Sequence, residues 1–145
     1  MTRFDSSGVG RAVARCASKR REVLAAYVFG SVASGRTRRD SDVDVAVLLA
    51  RRLPSNRSLQ YRLKLMTDLG SALRRSDVDV VVLNDASPLL AHRILSKGKL
   101  VFERSASARV RFQVRTASRY ADLIPMFETH IRYLKHHARE GRILG

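Results

Sequence analysis

Two aspartates, Asp42 and Asp44, open the run Asp42-Val43-Asp44-Val45-Ala46-Val47-Leu48-Leu49. On a strand, residues i and i+2 point to the same face, about 7 Å apart along the chain. Two carboxylates so placed form half of a cation site. Oxygen-only ligands favour a hard ion such as Mg²⁺, which keeps waters and completes its shell from substrate phosphates. A second acid/valine alternation, Asp77-Val78-Asp79-Val80, repeats the pattern. If the two strands lie side by side, an aspartate of the second completes a three-carboxylate cluster. Asp79 is the better choice, because it lies deeper in the apolar run while Asp77 stands at its entrance. A lone Asp-x-Asp is as readily a solvated strand end, so its neighbourhood must decide.

Just upstream, the apolar run Val23–Phe29 ends at Gly30-Ser31, and Gly35 follows. Glycines let backbone N–H groups approach a phosphate closely, and a serine hydroxyl adds a donor. The same residues also favour an ordinary strand-to-loop turn. The chain thus brings a phosphate cradle and a carboxylate pair close together in sequence. The full run is Gly30-Ser31-x₃-Gly35-x₅-Ser41-Asp42-x-Asp44. At average residue usage its six defined positions would coincide by chance about once in ten million windows.

The carboxylates stand in a strongly cationic chain. Its 145 residues carry 28 Lys+Arg against 13 Asp+Glu, a formal net charge of +15. Residues 1–39 contribute +7, residues 40–50 −3, residues 51–75 +6, residues 76–103 −1 and residues 104–145 +6. Like charges repel when crowded, and a bound cation would explain the two acidic islands. The basic remainder suits phosphates, an acidic partner or nucleic acid, although no nucleic-acid reading motif is present. A single cysteine, Cys16, excludes an intrachain disulfide. The N-terminal stretch with Arg3 and Asp5 lacks an apolar signal core, and no apolar run reaches the ~20 residues of a membrane span. A single cytoplasmic domain over residues 1–145 is expected.

The elements that must position these residues follow from periodicity. Residues 6–21 read as a helix capped by Asp5 or Ser6, with Val9, Val13 and Cys16 or Ala17 inward. Residues 23–29 read as a central strand buried on both faces, and 42–49 as a second strand. A helix opening at Pro54-Ser55 carries Leu59, Leu63, Met66, Gly70 and Leu73 as its apolar stripe. A third strand spans 77–83. Ser87 caps a helix with Pro88 at its first position, and Gly98 closes it. Leu100–Glu103 is a fourth strand. From about 105 to 145 the chain is helical, with Phe112, Tyr120, Leu123, Phe127, Ile131 and Leu134 as the stripe and Pro125 expected to kink or break it. The expected fold class is α/β (α+β): a small mixed sheet of about four strands with helices packed on it.

The run from Gly30 to Asp44 resembles the signature of the DNA polymerase β-like nucleotidyltransferases. Nearly the whole chain looks like a minimal nucleotidyltransferase (MNT), the antitoxin partner in HEPN/MNT toxin–antitoxin pairs. Val78–Pro88 is similar to the family's third-aspartate strand and following helix, and Leu95–Phe102 and Tyr120-x-Asp122-x-x-Pro125 to its C-terminal half. The resemblance implies that Asp42, Asp44 and Asp79 are catalytic and bind divalent ions, two Mg²⁺ being expected. It further implies that Asp79 helps draw the proton from the acceptor, that Gly30, Ser31 and Gly35 hold the triphosphate, and that Ser41 orients the loop. The implied reaction moves AMP from ATP to a tyrosine hydroxyl of a HEPN toxin encoded by an adjacent gene, with pyrophosphate leaving. One departure is Ser34, where many relatives carry lysine or arginine, which leaves Arg36, Arg38 and Arg39 as weak candidates for charge support.

Two alternatives stand beside this reading. A non-catalytic binding module could neutralise its partner by occlusion, and an aminoglycoside-type nucleotidyltransferase would share the chemistry. Elsewhere, His130 and His137 share a helix face without a third ligand at zinc spacing. Cys16 reads as a structural thiol, and Tyr120 and Asp122 as either helix-packing or partner-surface residues.

Overall fold

In the computed structural model, the structure describes residues 8–30 and 42–139. The elements run α1 (Val9–Ser18), β1 (Val23–Phe29), β2 (Val43–Leu49), α2 (Ser55–Leu73), β3 (Val78–Val82), α3 (Pro88–Lys97), β4 (Lys99–Glu103) and α4 (Ala106–Arg139). The four strands form one mixed sheet in the order β3-β2-β1-β4. β1 is antiparallel to β2 and β4, whereas β2 and β3 are parallel. This is the expected class of fold.

Strand composition follows position in the sheet. β1 and β2, in the interior, are almost wholly buried, whereas at the edges β3 buries alternate residues and β4 has none fully buried. Val43, Val45, Val47, Val78, Val80 and Val82 face one layer, where α1 supplies Val13 and α2 supplies Leu65 and Leu69. Ala25, Tyr27, Ala46 and Leu48 face the other, covered by Ala91 and Ile94 of α3 and Phe112 of α4. A register irregularity between Val23 and Ala25 lets Val23 share the first face with Ala26 and Val28. By the same alternation, Asp42, Asp44 and Asp79 belong to the face covered by α3 and α4.

Side-chain bonds secure the connections. Beyond β3 the chain makes one 3₁₀ turn, Leu83–Asp85, and Asn84 there both accepts from Leu49 N (2.8 Å) and donates to Leu49 O (2.9 Å). The amide thereby extends the ladder past the end of the strand. Ser87 Oγ accepts from Leu90 N at the start of α3, as its sequence predicts. Arg104 donates to the carbonyls of Val23 (3.0 Å), Ser18 (3.0 Å) and Arg20 (3.3 Å), clamping the end of β4 to the α1–β1 turn.

Three expectations are corrected. In α2 the inward residues are Ser58, Leu65 and Leu69, whereas Leu59 and Leu63 are each 52% exposed. The phase of the helix is set by what β3 and α1 can cover, and a leucine count alone does not reveal it. In α4, Thr116 is the buried residue, and Phe127, Ile131 and Leu134 are exposed. Only the first part of this helix lies against the sheet and α3. Of the two outcomes expected at Pro125, a kink or a break, the break does not occur: α4 continues through it to Arg139. Proline removes one N–H from the ladder, and its lost acceptor belongs to Ala121, which is exposed and open to water. The predicted caps Asp5 and Ser6 lie outside the described residues.

Candidate active site

The carboxylates meet where β1 ends and β2 and β3 begin. Asp44 is opposite Phe29 of β1 on one side and in register with Asp79 of β3 on the other. In a parallel pair, residues in register project from the same face, and neighbouring strands lie about 4.8 Å apart. Asp44 and Asp79 therefore stand side by side, with Asp42 one pleat further out. Asp44 is half-buried, and Asp42 and Asp79 are exposed.

Gly30 closes the fourth side. Its φ is +77°, a left-handed conformation, and a Cβ there would collide with Oδ2 of Asp44. The backbone at the end of β1 thus runs directly against the carboxylate, an approach only glycine permits. Ser31, Gly35, Ser41, Arg36, Arg38 and Arg39 lie outside the described residues.

The electrostatics of the cluster are those of like charges held close together. Burial, then the negative charges of Asp79 and Asp42, push the Asp44 carboxyl above its ordinary pKa. Asp79 Oδ1 accepts from Val80 N at 2.9 Å and lies 3.7 Å from the Arg62 Nη2. Among the described residues, no three His, Cys, Asp or Glu side chains are grouped so that they could hold a metal ion by themselves. The donor set is nonetheless all carboxylate oxygen, hard and mutually repelling. It fits a divalent ion that takes part of its shell from water and phosphate.

Asp77 has a different occupation. Arg75 Nε and Nη2 donate to its two oxygens at 2.7 and 2.6 Å, and this fork holds the Asp77 carboxyl below its ordinary pKa. The charge of Asp42 also reaches Arg75, whose pKa is raised. The structure thus brings Asp42, Asp44 and Asp79 together and engages Asp77 elsewhere.

Arg62 is a site neighbour that sequence reasoning missed. Its Nε donates to Val80 O at 2.9 Å, on the open edge of β3. Nothing in the spacing of Arg62 and Asp79 announces this, because it depends on α2 packing across β3. Several of the other singled-out side chains make ring contacts or pack on the core. Tyr120 stacks on His92 of α3 with ring centroids 3.7 Å apart, and His130, Tyr133 and His137 stack along α4. Cys16 lies against the α1/α2 core.

Comparison with known proteins places this geometry. Residues 12–107 match the family described as polymerase beta, nucleotidyltransferase. The chain is 38% identical over 97 residues to the protein adenylyltransferase MntA of Shewanella oneidensis, a match covering 67% of this chain and 66% of that protein. The sequence match therefore spans just under two thirds of that relative. A chain in the crystal structure of a toxin–antitoxin with AMP-PNP superposes with a TM-score of 0.74 at 29% identity, over 87% of this chain and 98% of that one. A chain in the structure of the tri-AMPylated Shewanella oneidensis HEPN toxin with its MNT antitoxin gives 0.68 at 26% identity, over 88% and 96%.

Proposed function

The chain belongs to the polymerase β nucleotidyltransferase family, and we propose that it is an Mg²⁺-dependent protein adenylyltransferase acting as the antitoxin of a HEPN/MNT pair. It would transfer AMP from ATP to a tyrosine hydroxyl of a cognate HEPN toxin. The observation that carries this reading is the registration of Asp44 beside Asp79, with Gly30 folded against the Asp44 carboxylate. The named activity of the S. oneidensis relative and the AMP-PNP and AMPylated complexes of similar chains support the nucleotide and the acceptor. Among the described residues, no helix is long and apolar enough to cross a membrane. We assign the chain to the cytoplasm, where ATP and such a partner are available.

Asp42 and Asp44 would hold divalent ions, and Asp79 would complete the set. When bound, such ions would supply charge neutralisation for transfer at the α-phosphorus. Asp79, on the edge strand β3, would accept the proton of the acceptor hydroxyl as its oxygen bonds to the α-phosphorus. The bond from that phosphorus to the bridging oxygen breaks, and pyrophosphate leaves. Gly30 would let backbone N–H groups approach the triphosphate, with Ser31, Gly35 and Ser41 following it in sequence.

The test is incubation with α-labelled ATP, Mg²⁺ and the HEPN product of the adjacent gene. Label should appear on the partner with wild type and not with Asp42→Ala/Asp44→Ala. No label from wild type, or equal label from the double variant, overturns the proposal. A second reading, neutralisation by occlusion, draws on the exposed Met126, Phe127, Ile131 and Tyr133 of α4. It requires the double variant still to suppress toxicity on co-expression.

A further inference from the structure

A cleft of about 490 Å³ opens at the edge of the sheet, between the first half of α2, β3 and the start of α3. Val81 and Val82 form part of its wall, with Leu59 and Leu90 at its sides. Both leucines are solvent-exposed, at 52% and 37%. Arg52 and Arg62 bring guanidinium groups to the same cleft. The single carboxylate among its lining residues, Asp85, is engaged: Oδ2 accepts from Ser58 Oγ, and Oδ1 lies 3.3 Å from Arg52 Nε. The cleft is therefore apolar along its sides and cationic on balance. One side of it comes from the segment 51–75, which carries a net charge of +6.

Its position gives it a use. Arg62 lines the cleft and also lies 3.7 Å from Asp79 Oδ1, so cleft and carboxylate cluster share a boundary. Val81 is two residues beyond Asp79 on the same face of β3, about 7 Å away. Anything whose hydroxyl reaches Asp79 along this edge must lay its neighbouring residues here. We infer that this cleft is the acceptor-docking site: it takes the segment of the partner protein flanking the modified hydroxyl, with an apolar side chain between Leu59 and Leu90 and an acidic side chain toward Arg52. Charge complementarity favours this occupant, since the lining carries two guanidinium groups against one carboxylate, and that one, Asp85, is already met by Ser58 and Arg52. The assignment of Asp79 to the acceptor side rests on the function proposed above.

Two measurements separate the cleft from that function. In the first, a fluorescent peptide Glu-Glu-Tyr-Leu-Glu is titrated with the full chain and followed by anisotropy, beside a Lys-Lys-Tyr-Leu-Lys control. The acidic peptide should bind at least tenfold tighter than the basic one, and Arg52→Ala and Leu59→Glu, both at exposed positions, should each weaken it severalfold. In the second, transfer from labelled ATP to the whole HEPN partner should show a raised KM for the partner in both variants, with KM for ATP unchanged. Peptide affinity indifferent to both substitutions overturns the docking site. So does a rise in KM for ATP, which would make the cleft a nucleotide subsite. If wild type binds the acidic peptide through this cleft yet labels no partner, the docking site stands and the adenylyltransferase reading falls.

Discussion

Gly30 and Asp44 are so close that no side chain fits between the end of β1 and the Asp44 carboxylate. The left-handed φ of +77° at Gly30 brings the backbone there. An alanine at this position faces both the dihedral penalty and the collision. We expect Gly30→Ala to lose about 1–3 kcal/mol of stability and to abolish AMP transfer even at temperatures where it remains folded. Thermal unfolding followed by circular dichroism, with transfer assayed well below the transition, checks both. A fully active, fully stable variant would show that the approach is dispensable.

Asp44 is crowded by its burial and by the charges of Asp79 and Asp42. Asp44→Asn removes one repelling charge at nearly constant shape. The ion-free variant should therefore melt at the wild-type temperature or up to about 3 °C above it, while transfer falls roughly 100-fold or more. Millimolar Mg²⁺ should raise the melting temperature of wild type, because ligand binding favours the folded state, and leave the variant unmoved. Equal Mg²⁺ responses in the two proteins would remove Asp44 from the ion site.

Tyr61 predicts an alkaline limit. Its hydroxyl donates to Glu22 Oε2 at 2.8 Å, and burial, followed by this bond and the Glu22 charge, pushes its pKa well above the ordinary tyrosine value. An acid whose folded pKa is raised contributes stability that is complete below its unfolded pKa of about 10. That contribution is lost as pH rises from there through the folded value. Urea unfolding at about pH 8 and 11 should show wild type losing more stability over this interval than Tyr61→Phe. Parallel losses in the two proteins would contradict the assignment.

Arg104 holds the turn between α1 and β1 with one guanidinium, through the carbonyls of Val23, Ser18 and Arg20. Arg104→Ala removes these donors from the α1–β1 turn, where the Arg20 carbonyl keeps its bond from Val23 N, and should cost about 2 kcal/mol in denaturant unfolding. Because the clamp lies at the opposite end of β1 from Gly30, the KM for ATP should stay at its wild-type value. A changed KM with unchanged stability would mean that Arg104 acts on the site rather than on the fold.

The strands and α3 were legible because their signals are local. Val23–Phe29 is a continuous apolar run bounded by a turn, and Ser87-Pro88 starts a helix whatever surrounds it. The faces of α2 and α4 were not legible. Leu59 flanks an open cleft, and Phe127 and Ile131 extend beyond the part of α4 that packs on the sheet. An apolar stripe states that a helix has something to cover, not which surface covers it or whether that surface belongs to the same chain.

The sequence by itself determined that paired acids start two strands, that glycine and serine follow a third, and that carboxylates two residues apart share a face. These are consequences of backbone periodicity and need no knowledge of neighbours. Only the tertiary structure decided that β3 lies parallel to β2 with Asp79 level with Asp44, that Asp77 is held by Arg75, and that Arg62 reaches across from α2. Register and partnership arise from how the helices pack over the sheet, between residues far apart in the chain. The acids were evident from their spacing, but the site they form depends on which strands are brought together.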